Sequence, residues 1–116
     1  MMITLYGIPN CGTVRKARAW LDARGVPHVF HDFRKQGVPA AELDRWLATC
    51  GWEALLNRSG TTWRLLDPAR RASVVDVGSA RALMQAQPSV IRRPVATWAD
   101  GNTTVGFDPD DWLRRI

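Results

Sequence analysis

The sequence predicts an α/β fold, a four-stranded mixed β-sheet flanked by helices and interrupted by a helical insertion. Two observations predict it. Short β-prone runs lie near the two ends of the chain, whereas the span from about residue 39 to 88 shows helical patterns throughout. At 116 residues the chain is predicted to form a single domain, 1–116, which is large enough to bury a core without metals or disulfides.

The first part of the chain predicts a βαβ unit. Residues 2–8 are an apolar, β-prone run, and a helix is predicted from about Gly12 to Arg24, where apolar residues recur at three- and four-residue spacing. Gly25 is a typical helix stop. A second strand, His28 to Phe33, follows, and a right-handed crossover is expected between the two strands.

The insertion predicts a series of helices. The longest carries its apolar residues on one stripe that includes Cys50, and it ends at Gly51. Cys50 is therefore predicted to be a core residue rather than a second reactive thiol. The threonines of the loop 57–62 are predicted to cap the next helix. The remaining helical segments are predicted at Trp52–Leu56, Trp63–Leu66 and Pro68–Val74, and one more is capped by Ser79 and ends near Gln87.

The last part of the chain returns to strand. Val90 to Trp98 is a β-prone run interrupted by Arg92-Arg93-Pro94, and a proline there predicts a break, an edge or a cis bond. Asp100-Gly101 is a hairpin signal that leads into a strand from Thr103 to Phe107. Asp108 before a proline and two acids predicts the start of a final helix. The apolar face of that helix is predicted to consist of Trp112, Leu113 and Ile116.

The order β-α-β, then helices, then β-β-α is the thioredoxin-like layout. In that layout a strand-to-helix turn bearing a cysteine lies beside a loop with a proline before the third strand. Cys11 and Pro94 occupy those two places. The topology therefore predicts that they lie together although they are far apart in sequence.

Composition and charge narrow the range of possible functions. The net charge is +5, mostly from arginine, which suits an anionic small molecule or an acidic partner surface. The positive charge is scattered, so no specific nucleic-acid binding is predicted. Neither a signal peptide nor a membrane span is recognisable, and two cysteines 39 positions apart indicate a reducing compartment, so we expect a cytoplasmic protein. His28 and His31 face opposite sides of a strand, and no metal site is predicted.

Cys11 lies where a strand ends and a helix begins, so unpaired N–H groups of the helix start are expected to face its sulfur. These groups, with Arg15, Lys16 and Arg93 nearby, favour the thiolate, which is the reactive form of cysteine. The alternative is a small, buried structural thiol.

Three separated motifs together resemble the arsenate reductase-related family: Asn10-Cys11-Gly12-Thr13 before a basic helix, Leu55-Leu56-Asn57-Arg58 before Gly60-Thr61-Thr62-Trp63-Arg64, and Arg92-Arg93-Pro94. Asp32-Phe33-Arg34-Lys35 and the stretch 60–64 are most similar to its YffB branch, whose members are regarded as glutathione-dependent thiol reductases. The resemblance covers essentially the whole chain. It implies glutathione as a co-substrate, no bound cofactor, and a glutaredoxin as a possible partner.

The resemblance also implies the site residues. Cys11 matches the family's nucleophile, and Arg93 matches the arginine before the proline, so these two are the predicted catalytic residues. Asn10 is equally well explained as a helix cap, and Arg58 as a solvated surface charge. The predicted substrate- and glutathione-binding residues are Asn10, Gly12, Thr13, Arg15, Arg58, Thr62 and Pro94.

Two departures from the family pattern shape the prediction. Glutaredoxin-coupled arsenate reductases use two further arginines around the oxyanion, but the corresponding places hold Asn57 and a stretch near Gly106 without arginine. Arsenate reduction is therefore doubtful. The Spx branch, regulators that bind RNA polymerase, often carries a Cys-x-x-Cys switch, but Val14 holds its fourth position here. An outside thiol must then resolve any adduct on Cys11. The alternative function is a non-catalytic regulator of the Spx type that binds RNA polymerase or another protein partner.

Overall fold

The computed structural model describes residues 2–116 and contains a four-stranded mixed sheet flanked by helices, so the predicted fold class is confirmed. The strands are β1 (Ile3–Gly7), β2 (His28–Asp32), β3 (Val95–Thr97) and β4 (Thr103–Val105). Their order across the sheet is β2-β1-β3-β4. β1 is parallel to β2 and antiparallel to β3, and β3 is antiparallel to β4.

The helices are α1 (Gly12–Ala23), α2 (Phe33–Gln36), α3 (Ala40–Cys50), α4 (Trp52–Leu55), α5 (Thr61–Arg64), α6 (Pro68–Ala72), α7 (Val77–Ala86) and α8 (Pro109–Arg115), with a 3₁₀ turn at Pro88–Val90. The chain divides into two compact units. The sheet unit comprises the chain up to Gln36 and Arg93–Ile116, and the helical unit comprises Gly37–Arg92. The assignment of residues 1–116 to a single domain stays a prediction.

The core of the sheet unit lies between one face of the sheet and the helices α1 and α8. Alternate residues of β1 and β3 point to this face, as the two-residue period of a strand requires. The three- and four-residue spacing of α1 brings its apolar side chains onto them. The buried cluster consists of Ile3, Leu5, Ala17, Leu21, Ala96, Trp98 and Trp112. Trp112 of α8 packs edge-on against Trp98, with ring centroids 5.0 Å apart.

The helical unit is built around α3 and α7. Leu43, Trp46 and Leu47 are the buried residues of α3, and they recur at the predicted helical spacing. An ion pair on the surface joins the two helices, because Arg81 Nε donates to Asp44 Oδ1 at 2.6 Å. The buried residues of α7 are Ala80, Leu83 and Met84.

Two predicted helix caps are wrong. The N-cap of α7 is Asp76, three residues before Ser79, because the two residues form a reciprocal capping box. Asp76 Oδ1 accepts from the Ser79 N–H at 2.8 Å, and Ser79 Oγ accepts from the Asp76 N–H at 3.1 Å. The N-cap of α5 is Gly60, so Thr61 and Thr62 lie inside the helix rather than capping it, and the helix predicted to begin at Trp63 begins two residues earlier.

All four strands are shorter than their β-prone runs: the first loses one residue at each end of 2–8, and the fourth ends at Val105 instead of Phe107. The run from Val90 keeps only β3, because Pro88–Val90 forms a 3₁₀ turn and Pro94 has no N–H to donate to the sheet. The second strand ends at Asp32, whose Oδ1 accepts from the Arg34 N–H at 2.9 Å and turns the chain into α2.

The final helix begins at the predicted residue, but fewer of its apolar side chains are buried than predicted. Asp108 is its N-cap, and its side chain accepts a hydrogen bond from the Asp111 N–H. Trp112 is buried, but Leu113 and Ile116 are 58% and 45% exposed. The buried face of α8 is therefore supplied by Trp112, because Leu113 lies about 100° around the helix from it and Ile116 follows the last helical residue, Arg115.

Gly7, the last residue of β1, allows α1 to start close to the sheet. A methyl group on Gly7 would lie 2.8 Å from Val14 Cγ2 and 3.9 Å from Arg93 Cβ. Val14 is completely buried and its β-branched side chain has few alternative rotamers. The absence of a side chain at Gly7 therefore fixes how closely the first turn of α1 can approach the end of β1.

We predict that Gly7→Ala destabilises the protein by about 1–3 kcal/mol, because the added methyl overpacks a rigid contact. Gly12→Ala is the matched control, since a Cβ at Gly12 meets no atom within 4 Å and alanine is the better helix former. Urea unfolding followed by circular dichroism measures both. Equal stability of Gly7→Ala and the unmodified protein would contradict the close-contact argument.

Candidate functional site

The turn between β1 and α1 places Cys11 at the helix start. The Cys11 N–H donates to the Ile8 carbonyl at 3.3 Å and closes a four-residue turn, with Pro9 at its second position. The Cys11 carbonyl accepts the first helical hydrogen bond, from the Arg15 N–H at 3.0 Å. Cys11 is thus the N-cap of α1, with an extended backbone, and no acidic residue lies in the first turn of the helix.

The surroundings of the Cys11 sulfur favour the thiolate. Partial burial on its own raises the pKa of the thiol, but the Val14 N–H, the Arg93 side chain, the Thr13 N–H and the Arg93 charge together lower it below its ordinary value. A neutral thiol is a weak acceptor, and the side chain makes no conventional cap hydrogen bond. The same donors interact more strongly with an anionic sulfur, so their effect is to stabilise the ionised form.

The loop before β3 brings Arg93 to the sulfur. β3 runs antiparallel to β1 with Val95 opposite Tyr6, so the start of β3 lies beside the end of β1. The Arg93–Pro94 bond is cis, one of the arrangements expected for this loop, and Pro94 is buried. Arg93 is half-buried and its side chain lowers the pKa of the Cys11 thiol, so it is not a freely solvated arginine. The topology does bring the cysteine turn and the proline loop together.

The other predicted site residues fall into two groups. Asn10, Gly12, Thr13 and Arg15 surround the cysteine turn and are exposed. Arg58 and Thr62 belong to the helical unit. Within that unit the guanidinium of Arg58 lies 5.4 Å from the centre of the Trp52 ring, and Thr62 is half-buried in α5. The catalytic and binding roles of all these residues stay predictions.

The two cysteines differ in chemistry. Cys50 is the last residue of α3 and is half-buried, so the prediction that it is a core residue is only partly correct. Burial raises the pKa of the Cys50 thiol, the opposite direction to Cys11. Val14, at the fourth position of the turn motif, is completely buried. The turn therefore holds one sulfur, and core packing occupies the place of a second.

Sequence reasoning missed Gly7. Its role follows from the contacts that a side chain there would make with Val14 and Arg93, both of which flank Cys11 in the structure. The available signal was a glycine at the end of a strand, immediately before a turn, where a close backbone approach is common.

Across residues 2–116 no three side chains of His, Cys, Asp or Glu converge as metal ligands would. His28 Nδ1 lies 3.0 Å from the Val26 carbonyl, whereas the His31 ring packs 5.0 Å from that of Tyr6. None of the helices in this range has the length and hydrophobicity needed to span a bilayer.

The sheet has a mixed topology, a cysteine that favours the thiolate lies at the start of the first helix, and a cis-proline loop lies beside it. These features define a thioredoxin-like protein with one sulfur in its turn. The model of the ArsC family matches residues 6–115. The chain therefore belongs to the ArsC family, the arsenate reductase-related proteins.

Three similar proteins can be compared with this chain in sequence or structure. A solved structure named YffB is 45% identical, covers 99% of both chains and superposes with a TM-score of 0.93. An arsenate reductase-related protein from Brucella melitensis is 50% identical over 98% of this chain and 93% of its own, with a TM-score of 0.76. The global transcriptional regulator Spx of Streptococcus pneumoniae is 29% identical over 95% of this chain and 82% of its own.

We predict that iodoacetamide distinguishes the two cysteines by pH. Only the thiolate reacts, so lowering the pH suppresses alkylation of Cys50, whose pKa is raised, before that of Cys11, whose pKa is lowered. Mass spectrometry of Cys11→Ser and Cys50→Ser, alkylated over a pH series, gives each profile separately. A lower midpoint for Cys50 would contradict the assignment.

We predict that Arg93→Met moves the alkylation midpoint of Cys11 to higher pH, since it removes one hydrogen bond and one positive charge from the sulfur. Arg92→Met is the matched control, because Arg92 is exposed and its Nε donates to the Ala54 carbonyl at 3.3 Å within the helical unit. The control should leave the midpoint unchanged. Identical shifts in both variants would attribute the effect to net charge rather than to Arg93.

Proposed function

We propose that this protein is a glutathione-dependent thiol reductase in which Cys11 is the nucleophile. The observation that carries the proposal is the sulfur of Cys11 at the start of α1, held beside Arg93 with a lowered pKa, in a turn whose fourth position is the buried Val14. Membership of the ArsC family and the similarity to YffB support a thiol reaction at this position.

The reaction proceeds in two exchanges. The Cys11 thiolate attacks one sulfur of a disulfide substrate, forms a mixed disulfide, and expels the other sulfur as a thiolate, which takes up a proton. Glutathione thiolate then attacks the mixed disulfide and releases Cys11. When the substrate is a mixed disulfide with glutathione and Cys11 takes its glutathionyl group, the second exchange yields oxidised glutathione, so each cycle consumes one reduced glutathione and releases one substrate thiol.

The lowered pKa of Cys11 assists both exchanges. It increases the fraction of the attacking thiolate near neutral pH, and it makes the Cys11 sulfur a better leaving group in the second exchange. Arg93 supports the negative charge that forms on the sulfur each time it is released. Pro94 and the neighbouring backbone are proposed to contact the substrate peptide beside the sulfur, together with Asn10, Gly12 and Thr13.

Arsenate is not the substrate that we propose. An arsenate oxyanion carries several negative charges and needs converging cations. The position near Gly106 has a backbone φ of +84°, which an arginine rarely adopts, and its N–H is already used in a hydrogen bond to the Pro94 carbonyl at 2.9 Å. A disulfide is uncharged at its reacting atoms, so it does not need converging cations.

We place this chemistry in the cytoplasm, where glutathione is kept reduced. Glutathione is the thiol that we propose for the second exchange. A glutaredoxin could replace it in the second exchange, since it presents the same nucleophile.

The test is incubation with oxidised glutathione followed by intact-mass and peptide mass spectrometry. We expect one glutathionyl adduct on Cys11, formed equally in Cys50→Ser and lost in Cys11→Ser, and we expect reduced glutathione to remove it. Thiol chemistry at this turn is excluded if the native protein gains no adduct, or if Cys11→Ser is labelled to the same extent.

A second function is favoured by one observation, the 29% identity with the regulator Spx over 95% of the chain. In this alternative the protein is a non-catalytic module that binds RNA polymerase, and the thiol of Cys11 is not required. Recovery of polymerase subunits on immobilised protein, undiminished by Cys11→Ser, would support the regulator. Recovery of none, together with a reversible adduct on Cys11, supports the reductase.

A further inference from the structure

We propose that Gly106 is a positioning residue for the Cys11 sulfur, because its N–H holds the carbonyl of Pro94 and thereby fixes where Arg93 lies. The hydrogen bond from the Gly106 N–H to the Pro94 carbonyl is 2.9 Å long. All four residues belong to the sheet unit. The inference rests on the proposed function, since it concerns the same sulfur, but it can fail while that function stands.

The sheet places Gly106 beside the loop before β3. β3 is flanked by β1 on one side and by β4 on the other, and Val95 pairs with a residue of each strand. One residue further along the same register, Pro94 lies between Gly7, at the end of β1, and Gly106, which follows β4. The Gly106–Pro94 hydrogen bond thus extends the β3–β4 pairing to the edge of the sheet where the cysteine turn begins.

The direction of the Pro94 carbonyl controls the position of Arg93. Peptide bonds are planar, and the pyrrolidine ring fixes φ of Pro94. The remaining soft dihedral angle between β3 and the Cα atom of Arg93 is therefore ψ of Pro94, which also sets the direction of the Pro94 carbonyl. A hydrogen bond that holds this carbonyl holds the Cα atom of Arg93 as well.

The position of Arg93 matters because its side chain packs against the cysteine turn. A methyl group on Gly7 would lie 3.9 Å from Arg93 Cβ and 2.8 Å from Val14 Cγ2, so both side chains lie against the end of β1. The Val14 N–H and the Arg93 side chain both lower the pKa of the Cys11 thiol. Displacing the Cα atom of Arg93 would therefore take a cation away from the sulfur.

A positive φ lets Gly106 satisfy two contacts that lie on either side of it. On one side its N–H reaches the Pro94 carbonyl, and on the other the Phe107 ring packs 4.8 Å from that of Trp112. The backbone joins these contacts with a φ of +84° at Gly106, which costs energy for a residue with a Cβ. Such a residue is driven to negative φ and must give up one contact. Phe107 packs against the buried core cluster, so we expect the hydrogen bond to Pro94 to be lost.

The test is the pH dependence of Cys11 alkylation by iodoacetamide in Gly106→Ala, measured by mass spectrometry in a Cys50→Ser background. We expect the midpoint to move to higher pH, as in Arg93→Met but by less, because the cation is displaced rather than removed. At a fixed pH below the midpoint the alkylation rate should fall about threefold. At high pH, where Cys11 is fully ionised, the rate should not fall.

Gly101→Ala is the matched control. Gly101 has a φ of +89°, a Cβ there meets no atom within 4 Å, as at Gly106, and its N–H donates to the Trp98 carbonyl at 2.9 Å. Alanine at either glycine therefore meets the same strain beside the same kind of hydrogen bond. Trp98 lies about 13 Å beyond Pro94 along the strand, so Gly101→Ala should leave the midpoint unchanged.

A double variant assigns the effect to Arg93. In an Arg93→Met background Gly106→Ala should add no further shift, since the cation that it displaces is absent. Gly106→Asn is the milder replacement, because asparagine adopts a positive φ more readily than alanine. Its midpoint should lie between those of the unmodified protein and Gly106→Ala, and it provides the measurement if Gly106→Ala does not fold.

The inference is overturned if the Gly106 variants keep the midpoint of the unmodified protein, if Gly101→Ala shifts it equally, or if the shift persists without Arg93. In each of these cases the reductase proposal stands, because it depends on the adduct with oxidised glutathione. Absence of that adduct, together with the expected midpoint shift, would remove the proposed function and leave the positioning role of Gly106 in place.

Discussion

The contact between Val14 and Gly7 is the constraint on which the cysteine turn depends. Because Gly7 has no side chain, the first turn of α1 packs directly on the end of β1. The N–H groups of Thr13 and Val14 are thereby held beside the Cys11 sulfur, and the same close approach leaves room for Arg93. A bulky residue at either place would separate the donors from the sulfur that they stabilise.

The sheet supplies the second half of the site. Antiparallel pairing of β3 with β1 places the start of one strand beside the end of the other, so residues from opposite ends of the chain meet at one edge. The sulfur is thus held by backbone donors from a helix and by a cation from a loop. The backbone donors are fixed by secondary structure rather than by a flexible side chain, and such an arrangement stabilises charge at little cost in reorganisation.

The fold class, the succession of strands and helices along the chain and the place of Pro94 beside Cys11 were predictable, because they follow from hydrophobic periodicity and from the topology that it imposes. The capping of α7 was not, since Asp76 and Ser79 are both good caps and only the geometry shows that they cap reciprocally. The exposure of Leu113 and Ile116 was also missed, because a sequence pattern gives the face of a helix but not how much of it the sheet covers. Gly7 was missed for a similar reason, as its partner Val14 lies across the turn.

The buried Val14 has a kinetic consequence. A turn with two sulfurs resolves its own mixed disulfide in a first-order step, whose rate does not depend on the concentration of any outside thiol. Here Val14 occupies the position of the second cysteine, so an outside thiol must release any adduct from Cys11 in a second-order reaction. The lifetime of the adduct is then inversely proportional to the concentration of that thiol. A single side chain in the core of the first helix thus couples the state of this sulfur to the composition of its solution.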